Sequence, residues 1–444
     1  MNMDVSTISV IGLGKLGFPL AVCWARKGYN VIGVDLNKSI IDAMNNGKSP
    51  YHEANLQKYL GEVKDRLKAT DDINAAVASS QATLIIVPTP SMEEGNFSNE
   101  YILEACKKIG AVLKDKQEFH LIAIVSTVMP GSMDNEIKGC LESASGKKAG
   151  VDFGLCYNPE FIALGSIIQD LYNPDFVLIG ESDSRSGEIL YNMYKKFCDN
   201  NPEITRMKFI NAELTKLCLN TFVTMKISYA NMLTQLCERL AGANIDVITN
   251  AVGLDSRIGK KYLKGAVSFG GPCFPRDNRA LIHAANEVGL DALLPKATNN
   301  INNKQTERVV EIVMSKANQN SKVSILGLTY KPNTEVVEES AGIILAKKLM
   351  EKNIPTILYD PSANKDFVRK ALKEPKFADS IKECINQSDV IVITTPWEEF
   401  RNIVLNDLEK SDKLVVIDCW RILDAKNMSN KVEYIGLGIG PKNK

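Results

Sequence analysis

The chain has 444 residues, 45% of them hydrophobic, with 53 basic and 53 acidic side chains and a formal net charge of zero. That length exceeds what one core ordinarily organises, so two or three domains are expected. The balanced charge leaves no overall basic field for nucleic acid or an anionic membrane, and the expected partner is a small molecule.

In chain order, the sequence passes from Met1 almost directly into the apolar run Ile8–Ile11 without a basic leader, and no apolar run approaches the length of a membrane span. A reducing, cytoplasmic setting is expected. The run reads as a strand, followed by Gly12-Leu13-Gly14-Lys15-Leu16-Gly17 and a helical pattern to about Lys27. A second strand, Val31–Val34, ends at Asp35. Strand, glycines, helix, strand and acid in this order form a dinucleotide fingerprint: the glycines let a pyrophosphate approach a helix N-terminus, and the acid accepts from the adenosine ribose. An acid at that place disfavours a 2′-phosphate, so NAD is expected rather than NADP. Strands at 83–87 and 121–125 end in Pro88-Thr89-Pro90 and Ser126-Thr127-Val128, and both ends should line the nicotinamide side of the cleft. After a connection near 145–150 comes Cys156-Tyr157-Asn158-Pro159-Glu160-Phe161, then a strand at 176–180. The Asn-Pro turn signal puts Glu160 on a loop, either as a solvated carboxylate or aimed at a ligand.

A long helical pattern runs from Asn211 to about Leu240, with Leu214, Leu217, Cys218, Phe222, Met225, Leu233 and Leu236 available for burial. Lys216 and Asn220 lie four apart on one of its faces, as solvated surface or as a cation and an amide for a reacting oxygen. A helix of this length between domains is also a natural dimer interface. Asp255-Ser256-Arg257-Ile258-Gly259 and Tyr262-Leu263-Lys264 lead to Ser268-Phe269-Gly270-Gly271-Pro272-Cys273-Phe274-Pro275-Arg276-Asp277. Pro275 suits a first helical position, and Ala280, Leu281, Ala284, Ala285 and Val288 continue at helical spacing. Cys273 therefore sits near a helix N-terminus, where unpaired N–H groups favour a thiolate. It reads as a nucleophile, against the alternative of a small buried hydrophobe. The ten cysteines contain no C-x-x-C pair and there are three histidines, so neither a zinc site nor a disulfide framework fits.

From Lys322 the pattern restarts. Val323–Leu328 echoes the first strand and turn, Thr356–Asp360 the second strand with its acid, 390–396 the Pro88 region, and 414–418 a further strand. The fold class expected is α/β, two Rossmann-like doubly wound domains joined by a central helical region, with divisions at 1–200, 201–317 and 318–444. The second repeat has Thr329-Tyr330-Lys331-Pro332 after Gly327 in place of a full glycine set, so no second NAD is expected there. Ile435-Gly436-Leu437-Gly438-Ile439-Gly440 reads as a tail.

These pieces together resemble the UDP-glucose/GDP-mannose dehydrogenase family over essentially the whole chain. The matching residues are Gly12-Leu13-Gly14…Gly17, Val87–Pro90, Ser126–Val128, Asn158–Phe161, Lys216…Asn220, Arg257–Gly259, Gly270–Asp277 and Tyr330–Pro332. The resemblance implies a four-electron oxidation of a nucleotide-sugar C6 alcohol to a carboxylate, with NAD accepting a hydride twice and Cys273 carrying a thiohemiacetal and then a thioester. It further implies that Lys216 and Asn220 stabilise the oxyanions, that Asp277 and Thr127 orient water, and that Glu160 acts as general base or acid. Cofactor contacts are implied for Gly12, Gly14, Lys15, Leu16, Gly17, Asp35, Pro88, Thr89, Pro90, Ser126, Thr127 and Arg276. Substrate contacts are implied for Glu160, Phe161, Lys216, Asn220, Tyr262, Phe269, Gly270, Tyr330 and Lys331, and for Arg257 reaching a neighbouring subunit, hence at least a homodimer.

Three positions depart from the family pattern: Leu164 where a second Glu is usual, Glu338 where an Arg toward NAD is usual, and Arg276 for a Lys. An Arg is also expected near the last strand, at Arg421 or at the place taken by Trp420. Branches acting on N-acetylated UDP-sugars resemble one another in a His-Cys-Ile sequence at the cysteine loop. Pro272-Cys273-Phe274-Pro275 with Arg257-Ile258-Gly259 looks instead like the UDP-glucose branch, with GDP-mannose next. The readings of another kind are a two-electron β-hydroxyacid dehydrogenase, which needs no Cys273, and a non-catalytic NAD-binding protein.

Overall fold

Uninterrupted apolar runs become strands covered on both faces, as parallel sheets require. The computed structural model describes residues 4–405, 413–424 and 428–441. The chain divides into two compact units, Met1–Cys218 and Leu219–Lys444. Within the first, eight strands, β1 (Thr7–Ile11), β2 (Asn30–Val34), β3 (Leu67–Thr70), β4 (Ala82–Ile85), β5 (Leu121–Ile124), β6 (Gly154–Tyr157), β7 (Phe176–Glu181) and β8 (Glu203–Met207), form one sheet in the order β3-β2-β1-β4-β5-β6-β7-β8. Only the β6–β7 pair is antiparallel among the described strands. Ile8 pairs with Val31 on one side and Ala82 on the other, so the strand order reverses at β1. The carboxyl ends of β1 and β4 flank this switch point, and they carry the glycine turn and the Pro88 segment. One face of the sheet is covered by an apolar cluster containing Trp24, whose ring stacks on Phe197 at 4.1 Å between centroids. The other is covered by a cluster around Ile102, Ile109, Leu141 and Phe153.

The helix Phe209–Cys237 runs through the division of the chain. In the second unit, helices precede a six-stranded parallel sheet of β9 (Val323–Leu326), β10 (Thr356–Tyr359), β11 (Lys376–Phe377), β12 (Val390–Ile393), β13 (Leu414–Asp418) and β14 (Val432–Gly436), in the order β11-β10-β9-β12-β13-β14. The reversal at β9 repeats that at β1. The fold is α/β with two Rossmann-like sheets and a helical region between them in sequence, as expected.

The repeat extends to its glycines. A Cβ on Gly17 would meet Gly12 O at 1.9 Å, and one on Gly342 would meet Gly327 O at 2.1 Å. Both sheets therefore keep the close approach of first helix to first turn, and the second unit lacks only a counterpart of Gly14.

The stretch 435–440 read as a tail is corrected by the structure. Val432–Gly436 adds a sixth parallel strand to β13, and the residues after it dock on helix ends: Gly438 N–H donates to Glu238 Oε1 at 2.7 Å, and Gly440 N–H to Ala243 O at 2.8 Å. The strand begins three residues before the stretch, and the alternating glycines after it mask its continuation. The edge strands β3 and β8, LKAT and EITRM, carry too many polar residues to form apolar runs and were not announced, and the first sheet runs on past position 200 to Met207.

Candidate active site

At the β1 turn, Gly12 has φ +97° and packs so closely that a Cβ would lie 2.4 Å from Ile86 O, whereas one on Gly14 would meet nothing within 4 Å. The first and third glycines are thus fixed by packing and the second by the open space beyond it. The helix Gly17–Arg26 has no side-chain cap and no acid in its first turn, so its N–H groups are left for an anion. Asp35 accepts from Leu13 N–H at 2.7 Å and Asn37 N–H at 2.8 Å, one per oxygen, which leaves lone pairs on both for a ribose diol. The residues fit a dinucleotide. Ser126 Oγ donates to Val87 O at 2.6 Å and Thr89 Oγ1 to Thr127 O at 2.8 Å, tying the β4 and β5 ends together beside exposed Pro88 and Pro90.

In the second unit the counterpart acid is consumed. Asp360 Oδ2 accepts from Leu328 N–H, Thr329 N–H, Thr329 Oγ1 and Trp397 Nε1 at 2.7–3.1 Å, and Oδ1 from Ser362 and Ala363 N–H. No acceptor capacity remains there for a ribose.

Glu160 lies just beyond β6. Its carboxylate meets the Tyr194 hydroxyl at 2.9 Å, and burial of the group pushes its pKa up to about 7, against the opposing pull of that hydroxyl and the Lys216 charge. Lys216, itself buried, donates to Glu160 O at 2.8 Å, with its ammonium 4.8 Å from the Phe161 ring centroid. Glu213, one turn earlier on the same helix, accepts from Gly131 and Met133 N–H at 2.7 and 2.8 Å, anchoring the segment that follows Thr127.

In the second unit, Cys273 is the N-cap of the helix Phe274–Glu287 and is exposed. Of the ten cysteines, none of them disulfide-bonded, only Cys218 and Cys273 are exposed, and burial raises the thiols of Cys23, Cys106, Cys156 and Cys419. Asp277, one turn on, is buried and accepts from Asn220 Nδ2 at 2.5 Å, while its N–H donates to Cys273 O at 2.8 Å. Thr224 and Asn278 add a second pair between the same two helices at 3.0 Å. A Cβ on Gly271 would strike the Tyr330 ring at 2.6 Å, and one on Gly270 would strike Glu339 O at 2.0 Å. Phe274 packs edge-on against Tyr262 and Phe269, with centroids 6.1 and 6.3 Å away. Lys331 follows Tyr330, its ammonium 5.9 Å from that ring centroid.

Arg257 is exposed and pairs with Asp255 through Nε and Nη2 at 2.9 and 2.6 Å. Arg276 is half-buried on the first turn after Cys273. Among the departures, Leu164 packs against the first core cluster, so the apolar side chain is used by the fold. The Glu338 side chain is exposed while its carbonyl accepts from Gly271 N–H at 3.0 Å, so this position supports the cysteine loop through backbone. Arg421 turns inward to Asp246, with bonds of 2.7 and 2.9 Å, and donates also to Cys419, Leu437 and Gly265 carbonyls; Trp420 Nε1 donates to Thr394 O.

Sequence reasoning missed the residues that hold the cysteine loop from behind. Asn302 clamps Phe269 with both amide atoms at 2.8 and 2.9 Å, Thr306 meets Ser268 at 2.7 Å, and Asn231 binds Ala266 N–H and Val267 O. Asn302 and Thr306 lie at i, i+4 on one helix, a polar pair that would have marked a buried polar face.

The UDP-glucose/GDP-mannose dehydrogenase family matches in all its parts: the NAD binding domain over residues 6–198, the central domain over 210–304 and the UDP binding domain over 324–425. The chain is 31% identical over 423 residues to UDP-glucose 6-dehydrogenase of Haloferax volcanii, covering 94% of this chain and 97% of that one. It is 34% identical over 412 residues to GDP-mannose 6-dehydrogenase of Pseudomonas putida, covering 90% and 93%. Among solved structures, a UDP-glucose dehydrogenase from Pyrobaculum islandicum superposes with a TM-score of 0.89 at 30% identity, over 98% of each chain. With its dinucleotide turn and its cysteine at a helix N-cap, the chain belongs to the UDP-glucose/GDP-mannose dehydrogenase family, the NAD-dependent nucleotide-sugar dehydrogenases.

Proposed function

We propose that this protein oxidises the C6 hydroxyl of UDP-glucose to the carboxylate of UDP-glucuronate in two steps joined by a covalent bond to Cys273. The observation that carries this reading is the exposed Cys273 at the N-cap of a ten-cysteine chain's helix Phe274–Glu287, with the buried Asn220–Asp277 pair one turn behind it. NAD supplies the hydride acceptor for both oxidations. The Cys273 thiolate adds to the C6 aldehyde, whose own C–H is a poor hydride donor, and the resulting thiohemiacetal gives up its hydride and its hydroxyl proton to become a thioester. Water then cleaves the thioester, releasing carboxylate and thiol. In this reading Lys216 and Asn220 stabilise the oxyanions, Thr127 and Asp277 orient water, and Glu160 takes the proton from water.

Gly12, Gly14, Lys15, Leu16, Gly17, Asp35, Pro88, Thr89, Pro90, Ser126, Thr127 and Arg276 are assigned to the cofactor. Phe161, Tyr262, Phe269, Gly270, Tyr330 and Lys331 are assigned to the nucleotide sugar, with Arg257 from a second copy in a cytoplasmic homodimer. The division proposed is 1–200 for NAD, 201–317 for the helical region with the cysteine loop, and 318–444 for the UDP-sugar. No helix among the described residues is long and apolar enough to cross a membrane. The Pro272-Cys273-Phe274-Pro275 sequence supports UDP-glucose, while the 34% identity to GDP-mannose 6-dehydrogenase makes GDP-mannose the competitor.

Incubation with NAD and each of UDP-glucose, GDP-mannose and UDP-N-acetylglucosamine, counting NADH per sugar consumed, decides both points. Two NADH with UDP-glucose is expected. One NADH per sugar sinks the thioester route, and preference for another sugar replaces the substrate. Cys273→Ala is expected to bind both ligands and form no acid.

A further inference from the structure

The loop bearing Glu160 contains a hydrogen-bonded chain with one proton too few. Asn158 and Tyr194 are both buried. Asn158 Nδ2 donates to Leu178 O at 3.0 Å, which fixes the amide orientation, since the flipped amide would set two carbonyl oxygens against each other. Asn158 Oδ1 therefore faces the Tyr194 hydroxyl, at 2.6 Å, and the same hydroxyl lies 2.9 Å from Glu160 Oε1. The Tyr194 ring is held edge-on by Trp24 and Phe197, with centroids 5.5 and 5.7 Å away, so its oxygen cannot swing from one acceptor to the other. Burial and the neighbouring carboxylate push the phenol well above its ordinary range, so it keeps its single proton.

Two acceptors thus compete for one O–H. With Glu160 protonated, its own proton goes to the tyrosine oxygen, the tyrosine proton goes to Asn158, and every polar atom is satisfied. With Glu160 ionised, either the carboxylate or the buried amide oxygen faces a lone pair, which is costly in a site removed from water. We infer that Asn158 and Tyr194 are positioning residues that govern the acidity of Glu160: Asn158 withholds the tyrosine proton from the carboxylate and so favours the acid form until a hydrogen-bond donor such as water enters beside Glu160 and its proton passes to solvent, leaving the carboxylate that acts as base. The other titratable groups facing Glu160 are Lys216 on the long helix and Cys198 at the end of the Tyr194 helix. Neither is interposed in the chain. This inference rests on the reading of Glu160 as the acid–base group, and it adds to that reading the two residues that set when the group gives up its proton.

The test is a double-mutant cycle read by the infrared carboxyl stretch of Glu160 in the resting protein with NAD and no sugar, the band being assigned by its loss in Glu160→Gln. Asn158→Leu is expected to free the tyrosine proton and move the Glu160 titration down by about one pH unit. The shift is expected to vanish when Asn158→Leu is combined with Tyr194→Phe, and the low-pH limb of turnover is expected to move with it. No shift in Asn158→Leu, or a shift that persists in the Tyr194→Phe background, overturns the inference. Should Asn158→Leu not fold, Asn158→Ala removes the same acceptor and is read the same way. The two readings fail separately: unchanged turnover in Glu160→Gln rejects the acid–base role, whereas an additive cycle in the infrared titration rejects the chain.

Discussion

Glu160 and His120 show how burial acts on single residues with opposite functional weight. Glu160 titrates at about 7, raised chiefly by burial, so as a base for thioester hydrolysis it is competent above that value. Turnover is expected to rise as pH passes through about 7 and level off above it, and Glu160→Gln is expected to flatten that limb and slow hydrolysis by roughly 10²–10⁴-fold. A thioester-bound protein accumulating in Glu160→Gln, seen as a mass increase on the peptide carrying Cys273, would confirm the step affected. His120 has no such role. It is fully buried, with Nε2 2.7 Å from Thr83 Oγ1 and Nδ1 3.1 Å from Ser80 O, and burial pushes its pKa down to about 3. The unfolded chain, at the ordinary 6.5, binds a proton that the folded chain refuses. Stability from this group is therefore complete above about pH 6.5 and falls by about 1.4 kcal/mol per pH unit on acidification toward 3. Urea midpoints at pH 7 and 5 measure it, and His120→Asn should reduce the difference between them.

At the scale of elements, the dinucleotide turn separates two jobs that the motif alone runs together. Gly17→Ala places a Cβ 1.9 Å from Gly12 O and must push the helix off the sheet, so a clear fall in Tm is expected along with lost cofactor binding. Gly14→Ala meets no protein atom within 4 Å, so Tm should hold while the KM for NAD rises at least several-fold, because the methyl occupies space the pyrophosphate needs. An unchanged KM in Gly14→Ala would place the cofactor elsewhere. Both glycines were legible as a motif, yet only the backbone geometry tells which is needed by the fold. The same limit explains the second repeat. Gly327 and Asp360 echo the first turn and its acid in sequence, but the full hydrogen-bond set on Asp360 is visible only once the chain returns Trp397 to it. Long apolar strands and the cysteine loop were read from local pattern because their signals are local. β3, β8, β14 and the clamps Asn302, Thr306 and Asn231 were not, because β3 and β8 are short and polar at half or more of their positions, β14 runs into alternating glycines, and a buried polar residue is marked by its distant partner.

At the scale of the whole molecule, the long helix leaves an apolar stripe in water. Phe222, Tyr229, Met232 and Leu236 are each 46–59% exposed, at spacings of seven, three and four that put them on one face. Such a face on a folded chain marks an interface, and a second copy is the occupant proposed because Arg257 is exposed and turned only toward Asp255 of its own loop. A stable interface buries roughly 1,600 Å² in all, about 800 Å² on each copy. Phe222→Glu with Leu236→Glu should yield monomers by sedimentation and weaken sugar binding, as Arg257→Ala should while keeping the dimer. Whether Arg257 serves its own site or its partner's is then settled by mixing. When Arg257→Ala and Cys273→Ala chains, each inactive at low sugar, are dissociated and reassociated together, service in trans restores about a quarter of the wild-type sites, since half the dimers are mixed and one site in each is complete. Service in cis restores none, because every site then lacks either its cysteine or its arginine.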